Sequence, residues 1–320
     1  MKVLFTSDLH GKKHLYQETA SLAVRSGADC IIMGGDLFPT HIGKPLGLIT
    51  GNADFQEGLT AQYRFIDEFL VPFLGELIND HPHIRMIYTP GNHDWHFAIR
   101  RMQQGLPKAV CLHLSSFTWN GITFFGYGCV TDSSFWVKDY ARRDRKEDSP
   151  HPSRYSLVST ETSLVFSENG DYAWKHGSIE EELSTVSIPE PSRAVCIFHC
   201  PPYGTGLDTL YNGKPIGSRS VRGFIERHQP AVSLHGHIHE SPSMSGFFSA
   251  RLGGTLGINP GHSSRTLHAV VFDTENPGES LTHSVYKKSM PEKDRGGAIF
   301  ERYGRKIKSL FMQKALSGKK

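Results

Sequence analysis

Five segments of this chain share one pattern: a short run that reads as a strand stops, and Asp, Asn or His follows at once. They are Asp8-Leu9-His10, Gly35-Asp36, Gly91-Asn92-His93-Asp94, His199 and Gly236-His237-Ile238-His239. The runs before them include Lys2–Thr6, Cys30–Met33, Arg85–Tyr88, Ala194–Phe198 and Ala231–Leu234. Between the first two, His14–Ser26 carries Leu15, Leu22 and Ala23 at helical spacing. Short continuous apolar strands separated by helices imply a sheet buried on both faces, an α/β architecture. In an open sheet of this kind the loops at the carboxyl ends of the strands converge on one crevice. Residues far apart in sequence are therefore expected to meet.

The rest of the chain reads as additions to that scaffold. Tyr63, Ile66, Leu70, Phe73 and Leu77 put one apolar face on a helix over Leu59–Ile78, which Pro72 is expected to kink or divide. Asn120-Gly121, between Phe117–Trp119 and Ile122–Gly126, predicts a β-hairpin. A helical pattern covers Ser218–His228, and further strands are expected near Thr255–Ile258, Thr266–Phe272 and Thr282–Val285. Two polar stretches, about 40–56 and 131–191, read as insertions beside the scaffold. The second interleaves Phe135, Trp136, Tyr140 and Trp174 with Arg142, Arg143, Arg145, Lys146 and Arg154. A small satellite core explains that composition better than a nucleic-acid grip.

The C-terminal stretch differs in charge. From Lys287 to Lys320, eleven basic and three acidic residues give +8, which leaves −5 for residues 1–286 if the chain carries +3. Ile299, Tyr303, Ile307, Leu310, Phe311 and Leu316 recur there at near-helical spacing. The expected division is a catalytic domain over 1–286 and a basic helical tail over 287–320, the tail packing on the body or on a second subunit. Binding to nucleic acid or an anionic membrane would use the same features.

At 320 residues, with 38% hydrophobic and 21% charged side chains, the chain can bury a large core and is not disordered. No apolar run reaches the ~20 residues of a membrane-spanning helix. Asp8 and His10 arrive before a signal-peptide stretch could form, so a soluble, cytoplasmic protein is expected. Five scattered cysteines without a Cys-x-x-Cys pair argue against a disulfide framework or a structural zinc knuckle.

The five loop segments carry the chemistry. Asp8, His10, Asp36, Asn92, His199, His237 and His239 offer mixed oxygen and nitrogen donors, which suit Mn, Fe, Zn or Ni better than Mg or Ca. Seven such residues are too many for one ion and suit two. Gly35, Gly91 and Gly236 permit the tight turns that would lift these side chains clear of the strands. Histidines outside the segments, such as His14, His81, His113, His228, His268 and His283, read as surface or packing residues, and His96 and His235 as supports of their neighbours. Tyr203, Asp208 and the Asn259-Pro260-Gly261 turn lie close enough in sequence to border the same crevice.

The blocks D-x-H, G-D, G-N-H-D, H and G-H-x-H, present here in that order from Asp8 to His239, resemble the calcineurin-like metallophosphoesterase superfamily. HCPPYGTGLD (His199–Asp208) and HGHIHE (His235–Glu240) look closest to its Icc-related prokaryotic phosphoesterases. The resemblance implies a four-layer α-β-β-α sandwich. It places Asp8, His10 and His239 on a first divalent transition-metal ion and Asn92, His199 and His237 on a second, with Asp36 bridging. It further implies hydrolysis of a small phosphate ester by metal-bound hydroxide: a phosphodiester such as a cyclic nucleotide first, a phosphomonoester second. His93 is then expected to stabilise the transition state and protonate the leaving group, with Asp94 orienting or charging its imidazole. A metal-dependent nuclease, and a non-catalytic metal-binding scaffold, are the alternatives.

Overall fold

Alternate side chains of the inner strands enter different layers. Val3 and Phe5 of Lys2–Thr6 belong to one buried cluster with Cys30, Ile32 and Ile87, and with Phe124, Val195, Ile197, Val232 and Leu234 from a second group of strands. The intervening Leu4, Ile31, Met33 and Met86 face the other way, into a cluster with Leu15, Ala23, Leu70, Leu74, Ala98 and Met102 from helices. Strands buried on both faces cannot alternate apolar with polar residues, which is why these runs are continuously apolar. The result is two sheets face to face with helices outside them, the α-β-β-α arrangement. The computed structural model describes residues 1–40, 55–149, 156–167 and 172–286, with backbone only for residues 55, 56, 173 and 174.

Each sheet has six strands and is mixed. In the first, Lys2–Thr6, Cys30–Met33, Arg85–Tyr88 and Val110–Cys111 run parallel, and Ala269–Asp273 and then Thr282–His283 extend the Lys2–Thr6 side antiparallel. In the second, Ile122–Tyr127, Ala194–Phe198, Val232–Leu234 and Thr255–Ile258 are parallel, with antiparallel Ser115–Trp119 and Ser249–Leu252 at the edges. Thr6, Met33, Tyr88, Phe198 and Leu234 therefore end their strands just ahead of the five loop segments.

Several local expectations hold. Asn120 and Gly121 have φ of 49° and 72°, the left-handed pair that a type I′ hairpin needs, and Trp119 pairs with Ile122. The helix Arg219–His228 starts where Ser218 Oγ accepts the N–H of Val221. The stretch around Leu59–Ile78 is divided, one of the two outcomes expected at Pro72, into Phe55–Phe65, a widened π-type turn at Ile66–Leu70, and Val71–Asp80. Pro72 lacks the N–H an α-helical turn would require, and the Val71 N–H reaches back five residues to Ile66. The expected strand at Thr266–Phe272 begins only at Ala269, and that at Thr282–Val285 stops at His283. The Ser249–Leu252 strand and the helix His96–Gly105 were not expected from the sequence.

The 131–191 stretch, where described, extends the main core instead of forming a satellite one. Val137, Tyr140, Leu157, Leu164, Ile179 and Leu183 are buried and continuous with the helix-side cluster. Leu157–Ser159 and Leu164–Phe166 pair antiparallel, and Ile179–Ser184 starts at a reciprocal Ser178–Glu181 capping box. Arg142 is buried with Nε 3.0 Å from Glu182 Oε1, so its charge is matched within the protein. Most of 40–56, Arg154 and the tail 287–320 lie outside the described residues, as does the side chain of Trp174. No helix among the described residues is long and apolar enough to cross a membrane.

Candidate metal centre

Backbone hydrogen bonds zip the loops together before any side chain acts. Asp8 and His10 donate their N–H groups to the carbonyls of Gly35 and Asp36, at 2.9 and 2.8 Å. Gly236 donates to the His199 carbonyl at 3.0 Å. Asp8, His10, Asp36 and His237 all adopt positive φ, at 60°, 45°, 54° and 65°. Left-handed backbone at non-glycine residues costs energy and persists where surrounding structure enforces it, often at functional sites. Gly91 and Gly236 allow the closest approaches: a Cβ on Gly236 would meet Ser7 Oγ and Asp8 Oδ2, and one on Gly91 would meet Asp36 Oδ1.

The side chains form two groups with one member in common. Asp8, His10, Asp36 and His239 bring ligand atoms within 4.8 Å of one another, and so do Asp36, His199 and His237. In the first group His239 Nε2 lies 3.1 Å from both Asp8 Oδ1 and His10 Nε2. In the second, His199 Nε2 lies 3.3 Å from Asp36 Oδ1. Asp8, Asp36, Asn92 and His199 are almost wholly buried. Asn92 Oδ1 is buried without a hydrogen-bond partner, a condition that costs about 1–3 kcal/mol unless something else satisfies it.

Electrostatics favour the ligand forms of most of these groups. Burial opposes charge on Asp8, but His239 and His199 outweigh it and hold the carboxyl below the usual range. Burial likewise opposes charge on Asp36, which His199, His93 and His10 keep well below that range. Burial pushes His10 down to about 4 and His237 down to about 3, so both are neutral at pH 7. His199 and His239 are the exceptions: burial disfavours both cations, yet Asp36 and Asp8 raise His199 to about 9, and Asp8 raises His239 above the ordinary histidine value. A cation between these groups would take the place of those protons, since imidazole binds metal in its neutral form. The donor set, its charge and the unsatisfied Asn92 oxygen all fit divalent transition metals.

His93 borders the shared carboxylate. Its backbone N–H donates to Asp36 Oδ1 at 2.8 Å and its Nε2 is 4.0 Å from Asp36 Oδ2. Asp94 does not orient this ring as expected. Its Oδ1 accepts the N–H groups of Leu37 and Phe38, and its Oδ2 that of Gly91. The carboxylate lies between two loops that present three orphan donors, and those donors claim it. Burial and the nearby Asp36 raise Asp94 to about 8 against the pull of those N–H groups. The partner of His93 Nδ1 is instead Thr40 Oγ1 at 2.6 Å.

Residues near the motifs divide similarly. Asp208 accepts from Gly204, Thr205 and Gly217 and holds its own loop. Tyr203 stacks under Arg219. Asn259 donates to the carbonyls of Leu207, Gly236 and Ile238, bracing the His237 loop from behind. His262, which no motif contains, packs its ring 4.8 Å from that of His239 and 5.3 Å from that of His10. Its signal was the Asn259-Pro260-Gly261 turn, which ends the last parallel strand at the same edge.

The family model for calcineurin-like phosphoesterases matches residues 1–241. One solved crystal structure, 18% identical, aligns over 88% of this chain and 98% of its own with a TM-score of 0.58, a likeness that shows the fold alone. The crystal structure of TT1561 of Thermus thermophilus is 19% identical, over 88% of this chain and 97% of that one, with a TM-score of 0.49. A structure described as a novel archaeal phosphodiesterase is 12% identical, over 88% and 98%, with a TM-score of 0.39. No curated protein matches the chain.

Proposed function

The chain belongs to the calcineurin-like phosphoesterase family, and from that premise we propose that it hydrolyses a small phosphate ester at a centre of two divalent transition-metal ions. The observation that carries this reading is the shared carboxylate: Asp36 is the one residue common to both ligand groups among the described residues. Asp8, His10 and His239 would hold one ion, Asn92, His199 and His237 the other, and Asp36 both. Asn92 fits the second group because its buried oxygen lacks any other partner. When bound, the ions supply Lewis acidity toward phosphoryl oxygens and lower the pKa of water toward neutrality.

The chain's own groups do the remaining work. Burial of Asp8, Asp36 and His199 excludes bulk water and strengthens every charge interaction at the centre. His93 presents Nε2 beside Asp36, where it can hydrogen-bond to charge developing on the phosphoryl group and deliver a proton to the departing oxygen. The Icc-like segments His199–Asp208 and His235–Glu240 support a phosphodiester of cyclic-nucleotide type ahead of a monoester.

The test is to assay Mn-, Fe-, Zn- and Ni-loaded protein against an aryl phosphodiester and the matching monoester, with Asp36→Asn as the control. Turnover by the wild type with at least one metal, lost in the variant, is expected. No turnover with any metal, or full activity in Asp36→Asn, would refute the proposal.

A further inference from the structure

Two residues outside every motif meet on His93. Thr40 Oγ1 lies 2.6 Å from Nδ1, and the Phe135 ring stacks on the imidazole with centroids 4.3 Å apart and planes 28° from parallel. The His10 ring packs edge-on at 5.0 Å and 82°. The backbone is held as well, since the His93 carbonyl accepts from Gln62 Nε2 at 2.7 Å. Gln62 is fully buried, and its Oε1 accepts the Trp95 N–H at 3.3 Å.

We propose that Thr40 and Phe135 are positioning residues for His93, fixing its imidazole so that Nε2 alone faces the substrate; this rests on the phosphoesterase reading above. An imidazole has two orientations related by a half-turn about its Cβ–Cγ bond. The other orientation would set Cδ2 against the Thr40 hydroxyl and Cε1 where Nε2 now stands. A carbon at either place forms no comparable hydrogen bond, so the hydroxyl selects one orientation. Because a hydroxyl both donates and accepts, the contact survives whichever nitrogen carries the proton. Phe135 closes one face of the ring and limits its swing. Its neighbour Val137 is fully buried, which anchors the segment that delivers it. Thr40 stands at the start of the 40–56 stretch and Phe135 within 131–191, so both insertions contribute to the centre.

Thr40→Val keeps the shape and removes the hydroxyl; Thr40→Ser keeps the hydroxyl. In the zinc-loaded full chain, imidazole nitrogen spectra, with His93 assigned through His93→Gln, should show the Nδ1 resonance moved in Thr40→Val and restored in Thr40→Ser. With manganese and an aryl phosphodiester, Thr40→Val should lower kcat about 10- to 100-fold, as expected for a misplaced catalytic group. KM and bound metal should stay within about twofold, and Thr40→Ser should recover most of kcat. Phe135→Ala should lower kcat in the same way. An unmoved Nδ1 resonance in Thr40→Val, a Thr40→Ser variant that behaves like Thr40→Val, or an undiminished kcat in Phe135→Ala would overturn the respective assignment. If the wild type turns over no ester with any metal, the phosphoesterase reading fails, and the spectra still decide whether Thr40 holds His93.

Discussion

His10 Nε2 and His239 Nε2 stand 3.1 Å apart although 229 residues separate them in the chain. Asp8 Oδ1 is 3.1 Å from the same His239 nitrogen, and Asp36 Oδ2 is 3.8 Å from that of His10. Buried carboxylates beside imidazole nitrogens that aim at each other are poorly served by hydrogen bonds alone. A divalent cation satisfies all of them at once, and this relationship underlies the predictions for the centre.

Adding Mn or Zn to chelator-treated protein should raise its thermal midpoint, because the folded state assembles the ligands and the unfolded chain does not. A ligand at a hundredfold over its dissociation constant stabilises by about 2.7 kcal/mol. Calorimetry with and without chelator checks this, and an unmoved midpoint would count against the centre.

Two glycines should respond oppositely to a methyl group. In Gly91→Ala the new Cβ would meet Asp36 Oδ1 and lie 2.7 Å from His199 Nε2, both buried and unable to retreat. Bound metal should fall, and stability by about 1–3 kcal/mol. Gly223, inside the helix Arg219–His228, has open space where the methyl would go, with nothing within 4 Å. Gly223→Ala should therefore stabilise by about 0.5–1 kcal/mol. Denaturant titration of both variants provides the comparison.

Asp94→Asn should act on stability. Asparagine has one acceptor oxygen where the carboxylate uses two, so at least one of the Leu37, Phe38 and Gly91 N–H groups faces an amide NH2. A loss of about 1–3 kcal/mol is expected from a buried donor left unsatisfied. Equal denaturant midpoints for variant and wild type would contradict that role.

His113, which is not among the proposed ligands, should make the protein acid-sensitive. Burial, helped by Arg142 and His96, lowers it to about 4 from the ordinary histidine value of 6.5, and its Nδ1 accepts the Gly128 N–H. Between those two pH values the unfolded chain binds the proton and the folded chain does not, so stability rises with pH there. Acidification from pH 6.5 to 4 should cost on the order of 2–3 kcal/mol through this residue. His113→Gln should flatten the pH dependence of stability across that window, and an identical slope would argue against the assignment.

The sequence made the scaffold legible where one physical cause dominated. Continuous apolar runs marked strands such as Cys30–Met33, and Asn120-Gly121 marked a turn with two positive φ values. The loop residues were legible because strand ends predict where they gather. What could not be read depended on tertiary choice. Asp94 had equal prospects beside His93 or among backbone donors until the Asp36 loop lay next to it. Thr40 carries no local signal, and His262 only that of the adjoining Asn259-Pro260-Gly261 turn; the folded chain brings them to His93 and His239. The π-type turn at Ile66–Leu70 arose because Pro72 constrains the helix before it, a cost shared over several residues.

Crystals of the manganese-loaded protein, measured near the manganese absorption edge, test the central claim most directly. The account predicts two anomalous peaks, one on each side of the Asp36 carboxylate, with Asn92 on the side of His199 and His237. A single peak, or peaks that leave Asp36 unliganded, would contradict it.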